Sequence, residues 1–132
     1  MKNTLGKQER LKSKKLIEKL YTEGNSVKTF PLRMVFVQTA HTSDFPCQIG
    51  VSVAKRNFKL AVDRNRLKRL MRETYRLQKE IVYNNLKDPY IFMISYIGRE
   101  EIKYEELYLK MEGLLKIFMN TVNKTADENI QS

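Results

Sequence analysis

The chain has 132 residues, a length typical of one domain with one hydrophobic core. It carries 25 Lys and Arg against 15 Asp and Glu, and the resulting net charge of +10 favours a polyanionic partner such as nucleic acid. A single cysteine excludes an intramolecular disulfide, and no run of residues resembles a signal peptide or a membrane span. We therefore expect a cytoplasmic protein that is neither secreted nor bound to a membrane.

The first half of the chain predicts one helix followed by strands. Helical spacing of apolar residues places the first helix near residues 8–22, and Gly24 is placed to end it. Residues 30–39 alternate between apolar and mixed positions, which predicts a half-buried strand, and residues 47–55 predict another. The loop-forming residues between these strands indicate a hairpin-like pair. A short additional strand at 26–29 is a further option.

The second half predicts two helices around a central strand. A helix is expected from about residue 60 to 84, and residues 104–120 predict a third, amphipathic one. In residues 89–98, both the odd and the even positions are largely apolar, as in a strand that is covered on both faces. The apolar stripe of the longer helix comprises Leu67, Leu70, Met71, Thr74, Gln78 and Ile81, and that of the last helix comprises Leu107, Met111, Leu114, Leu115 and Phe118.

These elements predict a single α+β domain, an α/β sandwich in the order α-β-β-(β)-α-β-α with a mixed sheet of about four strands. We expect the domain to occupy residues 1–122. Residues 123–132 contain too few apolar side chains to pack and are expected to form a mobile C-terminal tail.

Most of the excess charge lies between Lys55 and Lys79, where ten basic residues face only Asp63 and Glu73. A helical wheel places one group of polar and basic residues opposite the apolar stripe, with Arg64 and Arg66 on the flanks. The members of the group are Asn65, Lys68, Arg69, Arg72, Arg76 and Lys79. Guanidinium groups bind phosphate oxygens through two parallel hydrogen bonds, so this face predicts phosphate recognition. The alternative is a solvated helix face, but such faces usually mix both signs of charge.

The string GVSVAKRNFKLAVDRNRLKRLMRETYR closely resembles the hallmark segment of the bacterial ribonuclease P protein family, whose core is Arg-Asn-Arg followed by basic residues. Here that core is Arg64, Asn65 and Arg66, and the resemblance extends over nearly the whole chain. It implies a set of residues that contact the catalytic RNA: Lys55, Arg56, Arg64, Asn65, Arg66, Lys68, Arg69 and Arg72. We add Arg76, which lies on the same cationic face. The resemblance also implies a left-handed crossover between the parallel strands, although right-handed crossovers prevail in general.

The resemblance implies a second binding surface, a cleft between the first helix and the sheet that holds the 5′ leader of precursor transfer RNA. Position relative to Gly24 assigns five residues to this cleft: Ile17, Tyr21, Arg33, Val35 and Val37. Several relatives carry aromatic residues at the positions of Ile17 and Val35, so base stacking there is expected to be weaker. The alternative is that these residues are ordinary core or sheet surface.

No catalytic residue or metal site is expected in the protein. His41 lies in a loop with Asp44 nearby and is interpreted as polar surface, while Cys47 begins a strand and is interpreted as a buried thiol. The acidic residues around the last helix are read as first-turn charge and a solvated face: Glu100, Glu101, Glu105, Glu106 and Glu112. The resemblance implies an endoribonuclease holoenzyme in which the RNA subunit hydrolyses the substrate with bound magnesium.

The expected partners are the catalytic RNA and precursor transfer RNA, with one protein monomer per RNA and no cofactor, membrane or small-molecule ligand bound by the protein. One alternative is a non-enzymatic binder of structured RNA, of ribosomal or chaperone type. A second is a protein that reads the major groove of DNA with its basic helix, and a third is a membrane-surface helix.

Overall fold

The computed structural model describes residue 6, residues 9–40 and residues 46–131, with side chains as far as residue 123. The elements are α1 (Lys14–Glu23), β1 (Asn25–Thr29), β2 (Leu32–Gln38), β3 (Cys47–Val53), α2 (Ala61–Arg76), α3 (Glu80–Tyr83), β4 (Tyr90–Tyr96) and α4 (Tyr104–Gln131). The predicted order of helices and strands is confirmed, including the optional short strand β1.

The four strands form one mixed sheet in the order β1-β2-β4-β3. Strand β4 pairs antiparallel with β2 and parallel with β3. The expected hairpin-like pair of β2 and β3 is therefore wrong, because β4 lies between them. Residues on both faces of β4 are buried. This explains why its odd and its even positions are both apolar, since the strand lies in the centre of the sheet. Strands β3 and β4 are joined through α2 and α3, and the hand of this crossover stays a prediction.

Helices cover both faces of the sheet. On one face Leu32, Met34 and Phe36 belong to the main core, which also holds the buried stripe of α4 and residues of α2. On the other face Val35 and Met93 belong to a smaller cluster beneath α1. Strand β2 is thus buried on both faces over much of its length and not half-buried as expected, because α1 covers its second face.

Helix α1 begins later than predicted, at Lys14. The residues before it are extended, with the Leu11 amide donating to the Ile49 carbonyl at 2.8 Å. Ser13 then caps the helix by accepting a hydrogen bond from the Leu16 amide. At the other end Gly24 ends the helix as predicted, and a Cβ there would lie 2.2 Å from the Leu20 carbonyl oxygen.

The predicted helix 60–84 is in fact two helices, because a tight turn at residues 77–79 separates α2 from α3. The Gln78 amide bonds to the Tyr75 carbonyl at 2.9 Å, one residue closer than in a regular α-helix. This change of phase directs Lys79 inward, and Gln78 is buried as the predicted stripe requires. The side-chain nitrogen of Gln78 donates to the Thr74 and Tyr108 carbonyls at 3.1 and 3.0 Å, which satisfies both of its hydrogens.

The predicted stripe of the last helix is fully buried, and α4 extends to Gln131, well beyond residue 120. The backbone of the segment expected as a tail is therefore helical, while its side chains beyond residue 123 lie outside the described residues. Its mobility and the domain boundary at residue 122 stay predictions. Over the described part of the chain, no helix has the length and apolar character needed to span a membrane.

Candidate nucleic-acid interface

Helix α2 has one buried side and one polar side, as the wheel predicts. Leu67, Met71 and Tyr75 are at most 1% exposed and fix the helix against the main core. Of the predicted RNA-binding residues on this helix, Asn65, Arg66 and Arg69 are exposed, whereas Arg64, Lys68, Arg72 and Arg76 are half-buried. Lys55 and Arg56 are exposed in the turn that precedes the helix.

The turn before α2 is held in place by the first arginine of the motif. Arg64 donates from Nη1 to the Phe58 and Lys59 carbonyls at 2.8 and 3.0 Å. Phe58 in turn packs edge-on against Tyr96 of β4, with ring centroids 5.8 Å apart. Arg64 therefore joins the turn to the helix, and its Nη1 makes both of these hydrogen bonds within the protein.

Two arginines of the cationic face form ion pairs inside the protein. Arg66 binds the Glu101 carboxylate through Nε and Nη2 at 3.2 and 2.5 Å, and this hydrogen bonding raises the pKa of Arg66. Arg76 binds the Glu73 carboxylate in the same manner, which raises the pKa of Arg76. Both pairs are partly solvated, and exposed ion pairs contribute little to stability. A phosphate can therefore compete for either guanidinium.

Lys68 and Arg69 make no hydrogen bond or ion pair with any residue in the described part of the chain. Their charges are thus directed to solvent from consecutive positions in the middle of α2. Lys79 was also expected on this face, and that prediction is wrong. Its Nζ contacts both carboxylate oxygens of Glu9 in the protein interior, at 3.2 and 2.9 Å. The reason is the tight turn at residues 77–79, because it interrupts the regular helix and Lys79 no longer follows the helical spacing of the cationic face.

Tertiary structure adds cations that the sequence did not assign to the interface. Arg99, which follows β4, lies with Arg56, Asn57 and Ile97 around an open cleft of about 600 Å³. Arg10 and Lys12, which precede α1, line a smaller cleft together with Arg72. Single basic residues far apart in the sequence carry no signal of such proximity, because β3 and β4 must first assemble to bring them together.

The five residues assigned to the leader cleft divide into two groups. Ile17, Val35 and Val37 pack in the small apolar cluster beneath α1, and only 8% of Val35 is exposed. Val35 is nearly covered, whereas Ile17 and Val37 keep part of their surface exposed. Tyr21 and Arg33 are exposed, with 59% of Tyr21 open to solvent. Tyr21 and Arg33 are thus the more accessible of the five, and the leader-binding role of the whole set stays a prediction.

The residues that the sequence offered as candidate catalytic or metal-binding groups lie in different environments. Cys47 is buried as predicted, and burial raises the pKa of its thiol to about 12, so the reactive thiolate is suppressed. Glu105 and Glu106 occupy the first turn of α4 as predicted, and the exposed Glu101 forms an ion pair with Arg66. His41 and Asp44 lie outside the described residues.

Comparisons with known proteins agree on one family. The sequence model of the Ribonuclease P family matches residues 5–119. A Ribonuclease P protein component of Porphyromonas gingivalis is 39% identical over 89 residues, which make up 67% of this chain and 64% of that protein. Another, of Chlorobium phaeobacteroides, is 40% identical over 84 residues, 61% of this chain and 58% of that protein. The matched segment spans less than two thirds of the length of these relatives.

Two solved structures share the fold. The RNase P protein of Staphylococcus aureus superposes with a TM-score of 0.67 at 21% identity, covering 83% of this chain and 94% of that one. The RNase P protein of Thermotoga maritima gives a TM-score of 0.66 at 22% identity, covering 82% of this chain and 96% of that one. At these identities the structures support the architecture, while the family model supports the membership.

Proposed function

Since the chain belongs to the Ribonuclease P family, we propose that it is the protein subunit of a ribonuclease P holoenzyme. It binds the catalytic RNA and the 5′ leader of precursor transfer RNA, and it assists the removal of that leader. The setting is the reducing cytoplasm, with one protein monomer for each RNA subunit. The observation that carries the proposal is the cationic face of α2, where Lys68 and Arg69 offer their charges to solvent above a helix fixed by its buried side.

The protein contributes charge and position to this reaction, and the RNA subunit carries out hydrolysis with bound magnesium. Two features of the chain support this division. The sequence holds one histidine, and its one cysteine is a buried thiol whose pKa burial raises to about 12. The cations of α2 and of the turn before it neutralise phosphates that otherwise repel one another where RNA strands approach.

The RNA-binding residues we propose fall into three classes by their state in the free protein. Lys55, Arg56, Asn65, Lys68 and Arg69 bind directly through side chains that face solvent. Arg66 and Arg76 exchange Glu101 and Glu73 for phosphate. Arg64 and Arg72 bind from half-buried positions, and Arg64 also fixes the turn that presents Lys55 and Arg56. On the opposite face of the sheet Tyr21 offers a base-stacking surface and Arg33 a phosphate contact.

Reconstitution tests the proposal directly. The protein is combined with a bacterial ribonuclease P RNA and precursor transfer RNA at limiting magnesium, and we expect cleavage to be faster than with the RNA alone. Cleavage that is no faster, combined with tight and salt-sensitive RNA binding, would assign the chain to the alternative class of non-enzymatic binders of structured RNA. A preference for duplex DNA over the RNA would instead support the DNA-binding alternative.

The role of the cationic face is tested by Arg69→Gln. We expect weaker RNA binding and a shallower dependence of log affinity on log salt, by roughly 0.7 to 0.9 for one lost phosphate contact. The matched control is Lys110→Gln, which removes one exposed charge from α4 and should leave both quantities unchanged. An equal effect of the two substitutions would show that net charge, and not this face, determines binding.

A further inference from the structure

A cleft of about 230 Å³ lies where the segment before α1 meets the edge of β3 and the side of α2. Three cations line it, Arg10, Lys12 and Arg72, and no carboxylate does. Its floor is apolar and includes Leu11 and Met93. None of the residues assigned to the leader cleft lines it, although Leu11 and Met93 belong to the same apolar cluster as Val35.

The cleft is built by a segment that is fixed on both sides of Arg10. Arg10 forms an isolated parallel bridge with Ile49, and the Leu11 amide donates to the Ile49 carbonyl at 2.8 Å. On the other side the buried Glu9 carboxylate accepts hydrogen bonds from Lys79 and from Tyr83, the latter at 2.5 Å. These contacts hold the extended backbone against β3 and place Arg10 beside Arg72.

Two like charges are thereby held together without a counter-ion among the described residues. Burial lowers the pKa of Arg72, and the positive charge of Arg10 lowers it further. Neither guanidinium has a hydrogen bond or ion pair within the part of the chain that the structure describes. Such an arrangement costs free energy in the isolated protein, and an anion in the cleft would remove that cost.

We propose that Arg10 and Arg72, supported by Lys12, form a clamp for a single RNA phosphodiester, with the adjoining ribose against the apolar floor. The volume of about 230 Å³ is smaller than that of usual pockets for small organic ligands, about 300–1,000 Å³, so the cleft suits a unit as small as one phosphodiester. Arg72 is one helical turn from Arg69, so the clamp continues the cationic face of α2 around the edge of the sheet. This inference rests on the proposed function and extends it to a site formed by the N-terminal segment.

A double-mutant cycle on the full-length protein tests the clamp. Methionine replaces each arginine, since it keeps an unbranched stem over the apolar floor while removing the charge. We expect Arg10→Met and Arg72→Met each to weaken binding to the ribonuclease P RNA, or to precursor transfer RNA in the holoenzyme, by about tenfold. The double variant should lose much less than the product of the two effects, because both side chains hold one phosphate. Multiplicative losses would mean two independent contacts and would overturn the clamp.

The source of the phosphate is resolved by two arms of the same experiment. If it belongs to the RNA subunit, Arg10→Met weakens binding of that RNA alone and affects substrates with short and long leaders equally. If it belongs to the leader, RNA-subunit binding is unchanged and only the long-leader substrate is bound less well. Wild-type binding in both arms contradicts the inference, and Arg69→Gln measured alongside shows whether the proposed function still stands.

Folding of the free protein separates a binding role from a structural one. Because Arg10→Met removes a repulsion, the variant should unfold at the same or a higher urea concentration than the wild type. A lower midpoint would identify Arg10 as a structural residue and overturn the inference. Lys110→Met is the matched control, and it should change neither the unfolding midpoint nor RNA binding.

Discussion

Replacing Glu9 with glutamine should destabilise the protein by about 3 kcal/mol, because it removes the negative charge from a buried ion pair. The side chains of Glu9 and Lys79 are 3% and 1% exposed, and their charged atoms are 2.9 Å apart. The carboxylate also accepts hydrogen bonds from Tyr83 at 2.5 Å and from the Gly6 amide at 3.1 Å. A glutamine amide has one acceptor oxygen where the carboxylate has two, so it cannot serve all three donors.

The magnitude is large for a domain of this size. Breaking a buried ion pair by removing one partner costs about 3–5 kcal/mol, compared with a total stability of about 5–15 kcal/mol for a typical domain. Glutamine keeps the shape of the side chain and one acceptor, so we expect the lower end of that range. With a urea m-value of about 1.5 kcal/mol/M, the midpoint of unfolding should fall by about 2 M.

Urea unfolding monitored by circular dichroism measures this effect, and Glu80→Gln is the matched control. Glu80 is an exposed carboxylate close to Lys79 in sequence, and its replacement should change the free energy of unfolding by less than about 0.5 kcal/mol. In the double variant Glu9→Leu with Lys79→Met, much of the lost stability should return, because no buried charge remains. An effect of Glu9→Gln no larger than that of the control would refute the reasoning.

The pH dependence gives an independent check. Burial raises the pKa of Glu9, but the hydrogen bonds from Tyr83 and Lys79 outweigh burial and hold the pKa below its ordinary value. A carboxylate with a lowered folded-state pKa stabilises the protein above its unfolded pKa, about 4.3, and loses that contribution as pH falls through the folded value. The difference between wild type and Glu9→Gln should therefore be constant near neutral pH and shrink on acidification.

Three further predictions follow from other contacts. Glu101→Gln should tighten RNA binding several-fold in a filter-binding titration, because it leaves Arg66 only its longer 3.4 Å ion pair with Asp63 and removes a negative charge from the interface; unchanged affinity would mean that Arg66 makes no phosphate contact. Met71→Ala should cost about 2–5 kcal/mol in urea unfolding, whereas Leu70→Ala, at a half-buried position, should cost clearly less; equal costs would contradict the packing. Because burial raises the pKa of Cys47 to about 12, wild-type stability should decline as pH rises above about 9, and Cys47→Ala should decline less over the same range.

The fold could be predicted largely from the sequence because its elements are amphipathic with clear periods. The stripe of α4 and the double apolar alternation of β4 are buried as expected, since burial of apolar surface is the dominant force and periodicity records it directly. The order of strands in the sheet was not predictable in the same way. The alternation of β2 and β3 is equally satisfied by a hairpin and by the insertion of β4 between them.

For the candidate interface, the sequence predicted the position of some cations correctly and of others not. A helical wheel was sufficient for Lys68 and Arg69, because a helix fixed by its apolar side directs the opposite side to solvent. It failed for Lys79, where a tight turn shifts the phase of the helix and a distant carboxylate supplies the partner.

By itself, the sequence determined the class of fold and the identity of the cationic helix, because local periodicity and charge density are properties of adjacent residues. Only the tertiary structure decided which cations are paired with carboxylates, which are buried, and that Arg10 lies beside Arg72. The physical reason is that an ionic or hydrogen-bonding partner is chosen by distance in space. In this chain the carboxylates that are hydrogen-bonded to Arg66 and Lys79 are 35 and 70 residues away.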